Sequence, residues 1–368
     1  MSPSQPSSPA WLVGLKAIGL FVLAVLALLG LTVLLSAAGS LWPLLVVAVI
    51  ALLLGVLSVG FVRLLRRRTR PQPFWRASLR SSGVWALALL ALLAVPLLTA
   101  TWINTVRPLA VPRITLSNGD KEVVFQGMIH IGSEPYYQGV VFDLSQAADR
   151  DYVLLFEGVR AGTEENMETM NRILGTQGLN LNQIYDAFAQ QCGLRFQNEY
   201  FSVFYDDIID NPDQFLNADV SVDDMMAEWE RLLDEHPEWR AQQADAQPED
   251  EVDNQLDGML DRLNGLTPGQ RRLGQLACHV YLNINFSQLG GEKPPFKEHV
   301  VLEFRNRHLA DTILAQTSDQ VYVTYGYDHF RGVYRMLQEA DPRWKIVSVE
   351  RRQAIDDQVE LERVLLLE

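Results

Sequence analysis

The sequence predicts a membrane-anchored α/β protein: three N-terminal transmembrane helices, then an α/β domain with a mainly parallel central sheet and a helical insertion. Three observations carry this. Residues 1–104 contain no Asp or Glu and hold three long apolar runs. Residues 105–368 contain 45 acidic and 23 basic residues, a net of −22 before histidine, so the two parts of the chain suit different surroundings. Within the second part, two β-rich runs, Val123 to His130 and Val321 to His329, each end in Gly-x-x-His and precede a helical stretch.

The apolar runs are Leu12–Ser36, Leu41–Val62 and Val84–Ile103, broken only by Lys16 near the start of the first. Each reaches the roughly 20 residues that cross a ~30 Å hydrocarbon core. A cleaved secretory signal has an apolar centre of only ~7–15 residues, so it describes none of them. Seven arginines, from Arg63 to Arg80, lie between the second and third runs, and the first connection carries no charge. Positively charged loops stay cytoplasmic. The N-terminus is therefore expected in the cytoplasm and the acidic domain outside it, in the periplasm of a cell with an inner membrane.

The outer domain, 105–368, reads in order as follows. Arg113–Leu116, the turn Ser117-Asn118-Gly119-Asp120 and Lys121–Gln126 form a hairpin, since Asn-Gly between alternating apolar residues favours one. A helix follows, with Ser133 as N-cap and Pro135 in its first turn, ending near Asp149. Tyr152–Phe156 is almost uninterruptedly apolar, as a strand covered on both faces is. This β-α-β unit makes its two strands parallel, so His130 and Glu157 leave the same edge. Helical spacing with acidic outer faces marks 180–191, 222–234 and 252–264 within an insertion at about 163–280. The segment 242–253 is too polar for either element. A helix at 299–316, a strand at Val321–Tyr325, a helix at 332–340 and a strand at Trp344–Val349 complete the domain.

Open α/β sheets bind ligands at the carboxyl ends of their strands. Histidine is scarce, six in 368 residues, and two stand alike just beyond strands. His130, Glu157 and His329 together make two imidazoles and one carboxylate. That donor set suits a divalent ion such as zinc, manganese or cobalt, and spacing does not choose among them. Each residue also has an ordinary structural reading: hydrogen-bonded histidines, and Glu157 in a salt bridge with Arg160. Arg160 is equally suited to a substrate carboxylate or an oxyanion. Glu303-Phe304-Arg305-Asn306 reads by itself as a solvated helix face. His236 belongs on the surface, and His279, His299 and His308 have no partner pattern. Cys192 and Cys278 are compatible with a disulfide or with two separate buried thiols. No Gly-x-Ser-x-Gly elbow, His-Glu-x-x-His or phosphate-binding glycine motif is present, and the acidic domain excludes nucleic-acid binding by phosphate neutralisation.

Five segments resemble the TraB/GumN/TIKI family, within a wider erythromycin esterase-like group: Gly127-Met128-Ile129-His130, Phe156-Glu157-Gly158-Val159-Arg160, Asn217-Ala218-Asp219-Val220-Ser221, Arg305-Asn306-Arg307-His308-Leu309-Ala310, and Gly326-Tyr327-Asp328-His329 with Gly332 after it. The likeness covers residues 113–350. It implies a membrane-held, metal-dependent peptidase with its domain outside the cytoplasm, His130, Glu157 and His329 on the metal, and Arg160, Arg305 and Asn306 as further site residues. Phe304 stands where many relatives have Glu before the Arg-Asn pair, with Glu303 one place earlier. The expectation is thus a metal-dependent hydrolase acting on a peptide or protein substrate. The alternative is a non-catalytic module that binds a peptide or haem-like ligand.

Overall fold

Apolar composition without charge builds the first three helices of the computed structural model, which describes residues 10–38, 40–65, 73–175, 181–240, 265–287 and 293–355. They are α1 (Ala10–Ala38), α2 (Trp42–Leu65) and α3 (Phe74–Val106), each long and apolar enough to cross a membrane. α3 starts well before the apolar run Val84–Ile103. Pro73 precedes its first turn, and no helix breaker stands between Phe74 and Gly83, so the helix includes the polar residues around Arg76 and Arg80. Small residues let these helices approach closely. Ala27, Ala51, Ala91 and Ala94 are buried, and a Cβ on Gly30 or Gly55 would run into Leu90 O or Ser82 Oγ. Trp85 Nε1 donates to Ser58 Oγ at 2.9 Å, tying α3 to α2.

The chain forms two compact units: residues 1–106 with 265–280, and residues 107–264 with 281–368. Residues 265–280, at the end of the expected insertion, therefore group with the membrane helices, where Gln270 Nε2 donates to Ala37 O at 2.7 Å. The expected helix at 252–264 and the polar stretch 242–253 lie outside the described residues. Neither cysteine is a free thiol.

The second unit is built on a six-stranded sheet of order β6-β4-β7-β2-β1-β8. The strands are β1 (Ala110–Ser117), β2 (Glu122–Met128), β4 (Val153–Phe156), β6 (Phe215–Asn217), β7 (Gln320–Gly326) and β8 (Lys345–Gln353). β3 (Ile131–Gly132) and β5 (Arg195–Phe196) form a separate short ladder. β6, β4, β7 and β2 pair in parallel, while β1 is antiparallel to both β2 and β8. The β1–β2 turn is the expected one. Gly119 takes φ +96°, and Asn118 Oδ1 accepts from the N–H groups of Asp120 and Lys121.

Helices cover both faces of the sheet. Val123, Phe125, Leu155, Val321, Val323 and Tyr325 point to one face and pack against Leu309, Ile313, Val333 and Leu337. Those four come from the helices Arg305–Ala315 and Phe330–Ala340. The other face meets α4 (Glu134–Ala148), whose Tyr136, Tyr137, Val140 and Leu144 are buried. Tyr136 Oη donates to Gly127 O at 3.0 Å and Tyr137 Oη to Ile129 O at 2.9 Å, so α4 holds the backbone that leads to His130. α5 (Glu164–Leu174), α6 (Leu181–Gln191) and α7 (Val222–Glu235) lie within the insertion. Ser221 caps α7 in a reciprocal capping box with Asp224. Met170, Met225, Trp229, Phe296 and Val300 form a second core there.

Candidate active site at the carboxyl edge of the sheet

Four parallel strands end side by side, and each delivers one ionisable side chain just beyond its last residue. In sheet order they are Asp219 after β6, Glu157 after β4, His329 after β7 and His130 after β2. Parallel pairing produces this row: Phe156 is level with Asn217 and Thr324, and Met128 with Gly326. Two Gly-x-x-His motifs and Glu157 therefore do share one edge.

Arg305 organises the row. Its Nε and Nη2 donate to the two carboxylate oxygens of Asp219 at 2.9 and 2.7 Å, a bidentate pair. Nη2 also donates to Glu157 Oε1 at 2.6 Å, while Nη1 reaches Val301 O at 3.5 Å and His329 Nε2 at 3.4 Å. The guanidinium lies over the Tyr325 ring, 5.3 Å from its centroid. All five of its N–H donors are thereby committed within the protein. Glu157 Oε2 accepts from Gly326 N at 2.6 Å, and a Cβ on Gly326 would crowd that same oxygen and the His329 ring. Asp219 also accepts from the backbone N–H groups of Gly158 and Val220.

The helix bearing Arg305 differs from the continuous one expected over 299–316. Phe296–Phe304 is π-helical, and the α-helix begins only at Arg305. The wider π turn breaks the i, i+4 register on which a solvated face was expected. Arg305 and Asn306 point inward instead, each 5% exposed, which corrects the solvated-face reading. Glu303 stays outside, bonded to His299 Nδ1 at 3.3 Å and facing Arg335 at 3.9 Å.

The two motif histidines differ in state. His329 is buried, and its Nδ1 donates to Asn306 Oδ1 at 2.8 Å, which leaves Nε2 as an acceptor towards Arg305. Gly332 makes room for Asn306, because a Cβ there would overlap Asn306 Nδ2. His130 is half-buried, stacks on Tyr185 with centroids 4.4 Å apart, and meets Gln197 Nε2 through Nδ1 at 3.1 Å. Arg160 does not pair with Glu157. Its side chain is half exposed and faces Asp224 at 3.8 Å, so Arg305 is the partner that buried Glu157 requires.

Asp219, Gln197 and Tyr185 are the site residues that sequence reasoning passed over. Asp219 lies in the segment Asn217–Ser221, but the three-residue strand before it is too short to stand out in the sequence. Gln197 and Tyr185 carry no signal.

Burial by itself would raise the Glu157 and Asp219 carboxyls, but Arg305 and the other neighbouring groups together hold both below their ordinary values. Burial, reinforced by the Arg305 charge, pushes His329 down to about 4. Burial also lowers His130, against the pull of Glu157. At neutral pH the row thus holds two carboxylates, one guanidinium and two uncharged imidazoles.

A cleft of about 1330 Å³ opens on this edge, lined by His130, Glu157, Tyr185, Gln197 and Arg305 and walled further out by Trp229, Trp239 and Phe296. The donors match a divalent ion in kind, being deprotonated as ligands must be. They do not match it in arrangement. Among the described residues no three His, Cys, Asp or Glu side chains converge closely enough to hold a metal, and Arg305 stands against Glu157 where a cation would have to be.

Two outcomes follow from this geometry. Arg305→Met strands the buried carboxylate of Asp219 and the partly exposed one of Glu157 and should destabilise the domain by about 3–5 kcal/mol, with Arg305→Lys restoring only part because a point charge cannot bridge both acids. Chemical unfolding of the detergent-solubilised protein measures this. His329 contributes fully above its unfolded pKa of about 6.5, and its contribution declines as pH falls towards 4, where the unfolded chain binds a proton that the folded one refuses. The whole window amounts to about 3 kcal/mol. Unfolding midpoints at pH 7 and 4.5 should show it, and His329→Gln should flatten the difference.

No family model, curated protein or solved structure matches this chain. The TraB/GumN/TIKI resemblance therefore stands on the five motif segments alone.

Proposed function

We propose that the second unit is a hydrolase, most simply a peptidase, working at the carboxyl edge of its sheet and anchored to a bilayer by α1–α3. One observation carries the reading: an ionised carboxylate, Glu157, and an uncharged imidazole, His130, face the same large cleft. The carboxylate orients a water and attracts its proton, and an imidazole held neutral at pH 7 accepts that proton as the water attacks an amide or ester carbonyl. Arg305, fully bonded, holds Glu157 and Asp219 in place. Asn306 sets the His329 tautomer. Arg160, half exposed and only 3.8 Å from Asp224, is a guanidinium outside the row that could turn towards a substrate oxygen. A zinc, manganese or cobalt ion on His130, Glu157 and His329, as the family resemblance implies, requires Arg305 to release Glu157 first.

The test is a peptide-library digest by the full-length protein in nanodiscs, read by mass spectrometry, with and without chelator and added Zn²⁺, Mn²⁺ or Co²⁺. Cleavage should occur, and Glu157→Gln or His130→Ala should lower kcat/KM at least about a hundredfold. Activity lost to chelator and restored by one ion would establish the metal-dependent form. Saturable peptide binding without any product would overturn the hydrolase and leave a binding module.

We further propose that the N-terminus is cytoplasmic and the second unit extracytoplasmic, from the arginines between α2 and α3. Alkaline phosphatase fused after Glu368 should be active in cells. A signal from a cytoplasm-only reporter at that position would reverse the orientation.

A further inference from the structure

A second, smaller pocket of about 220 Å³ lies beside Glu157, on the sheet face covered by α4. Leu144, Leu154, Phe156, Phe204, Ile208 and Phe215 form its walls. Glu157, Gln197 and Asn198 line both this pocket and the large cleft, so the two adjoin at the proposed reaction centre. Thr324 also lines it. Thr324 stands level with Phe156, and the alternation along β7 turns it away from the face occupied by Val323 and Tyr325. It is 6% exposed, and among the described residues its Oγ1 has no hydrogen-bond partner.

Resting on the hydrolase reading, we propose that this pocket is a specificity pocket for an aromatic side chain of the substrate, tyrosine above all, next to the bond that is cut. Size, polarity and position each support it. A cavity of roughly 150 Å³ lined by aliphatic and aromatic residues holds a benzene ring, so about 220 Å³ has room for a phenol. The walls are mostly apolar and the one charged lining residue, Glu157, is an acid, which rejects acidic side chains, because burying an unpaired like charge is costly. An unbonded buried hydroxyl is an expense that native proteins rarely carry without a use, and a phenolic O–H seated in the pocket supplies the partner that Thr324 Oγ1 lacks. The mouth at Glu157 places the backbone of a residue so held against the reacting groups.

Binding can be read separately from turnover. Calorimetry on the full-length protein in nanodiscs would compare N-acetyltyrosinamide, N-acetylphenylalaninamide and the α-amide of N-acetylglutamate. The tyrosine derivative should bind roughly three- to tenfold more tightly than the phenylalanine one, the gain expected of one added hydrogen bond, and the glutamate derivative should not bind. Thr324→Val should abolish the tyrosine preference and leave phenylalanine binding unchanged, without lowering the unfolding midpoint, since the hydroxyl it removes has no partner. Ile208→Trp, which fills the pocket, should remove both. In the digest, cleavage should concentrate beside aromatic residues. Equal binding of all three amides, binding that survives Ile208→Trp, or a preference for a decanoyl chain over either aromatic amide would overturn the assignment. If the aromatic amides bind as expected and no peptide is cut, the pocket stands and the hydrolase reading fails.

Discussion

The candidate site depends on one guanidinium. Arg305 bridges Asp219 and Glu157, which come from neighbouring strands 62 residues apart in sequence, and it touches His329 from a third. Burying three charges is expensive, and only well-formed pairing offsets it. The geometry meets that demand: Asp219 receives two arginine and two backbone N–H groups, and Glu157 receives one of each. Such a cluster is weak evidence for added stability. It is strong evidence for a fixed arrangement, because each bond constrains the same few strand ends.

Much of this architecture is legible from local chemistry. Hydropathy marks the three long helices, Asn118-Gly119 marks the hairpin, and the apolar run before Glu157 marks a strand covered on both faces. These signals are short-range, and each was sufficient on its own. Arg305 was not legible in the same way. Its charge and its place in a helix favour a solvated face, and only the π-helical segment Phe296–Phe304 turns it inward. The pairing with Asp219 spans 86 residues and has no local signature. For the same reason Arg160, three residues from Glu157, was the natural partner on paper, yet the strand exit points it at Asp224.

The two Gly-x-x-His motifs show how one pattern yields two physical states. After β2 the chain continues into β3, and His130 is left against Tyr185 and Gln197 beside the cleft. After β7 a 3₁₀ turn, Tyr327–His329, runs straight into a helix, and His329 is drawn into the interior against Asn306 and the edge of Tyr325. The glycines differ accordingly. Gly127 is hemmed in by Val111, Pro112 and Tyr327, whereas Gly326 gives its N–H to Glu157. Likeness of motif placed both imidazoles at one edge. The connection that follows each strand decided which one lines the cleft.

Charge balance at this edge limits what can bind there. Two ionised carboxylates face one guanidinium, and burial keeps both imidazoles uncharged, so the row is short of one positive charge. Asp219 takes two of the guanidinium's bonds, and the deficit falls on Glu157, the acid that faces the cleft. A divalent ion or a substrate ammonium answers it, and a second carboxylate does not. Lys297, Arg172 and Arg240 line the cleft as well. The cleft therefore carries basic groups on its walls and an unbalanced acid at the strand ends. Any positive charge entering the cleft would have to compete with Arg305 for this single carboxylate.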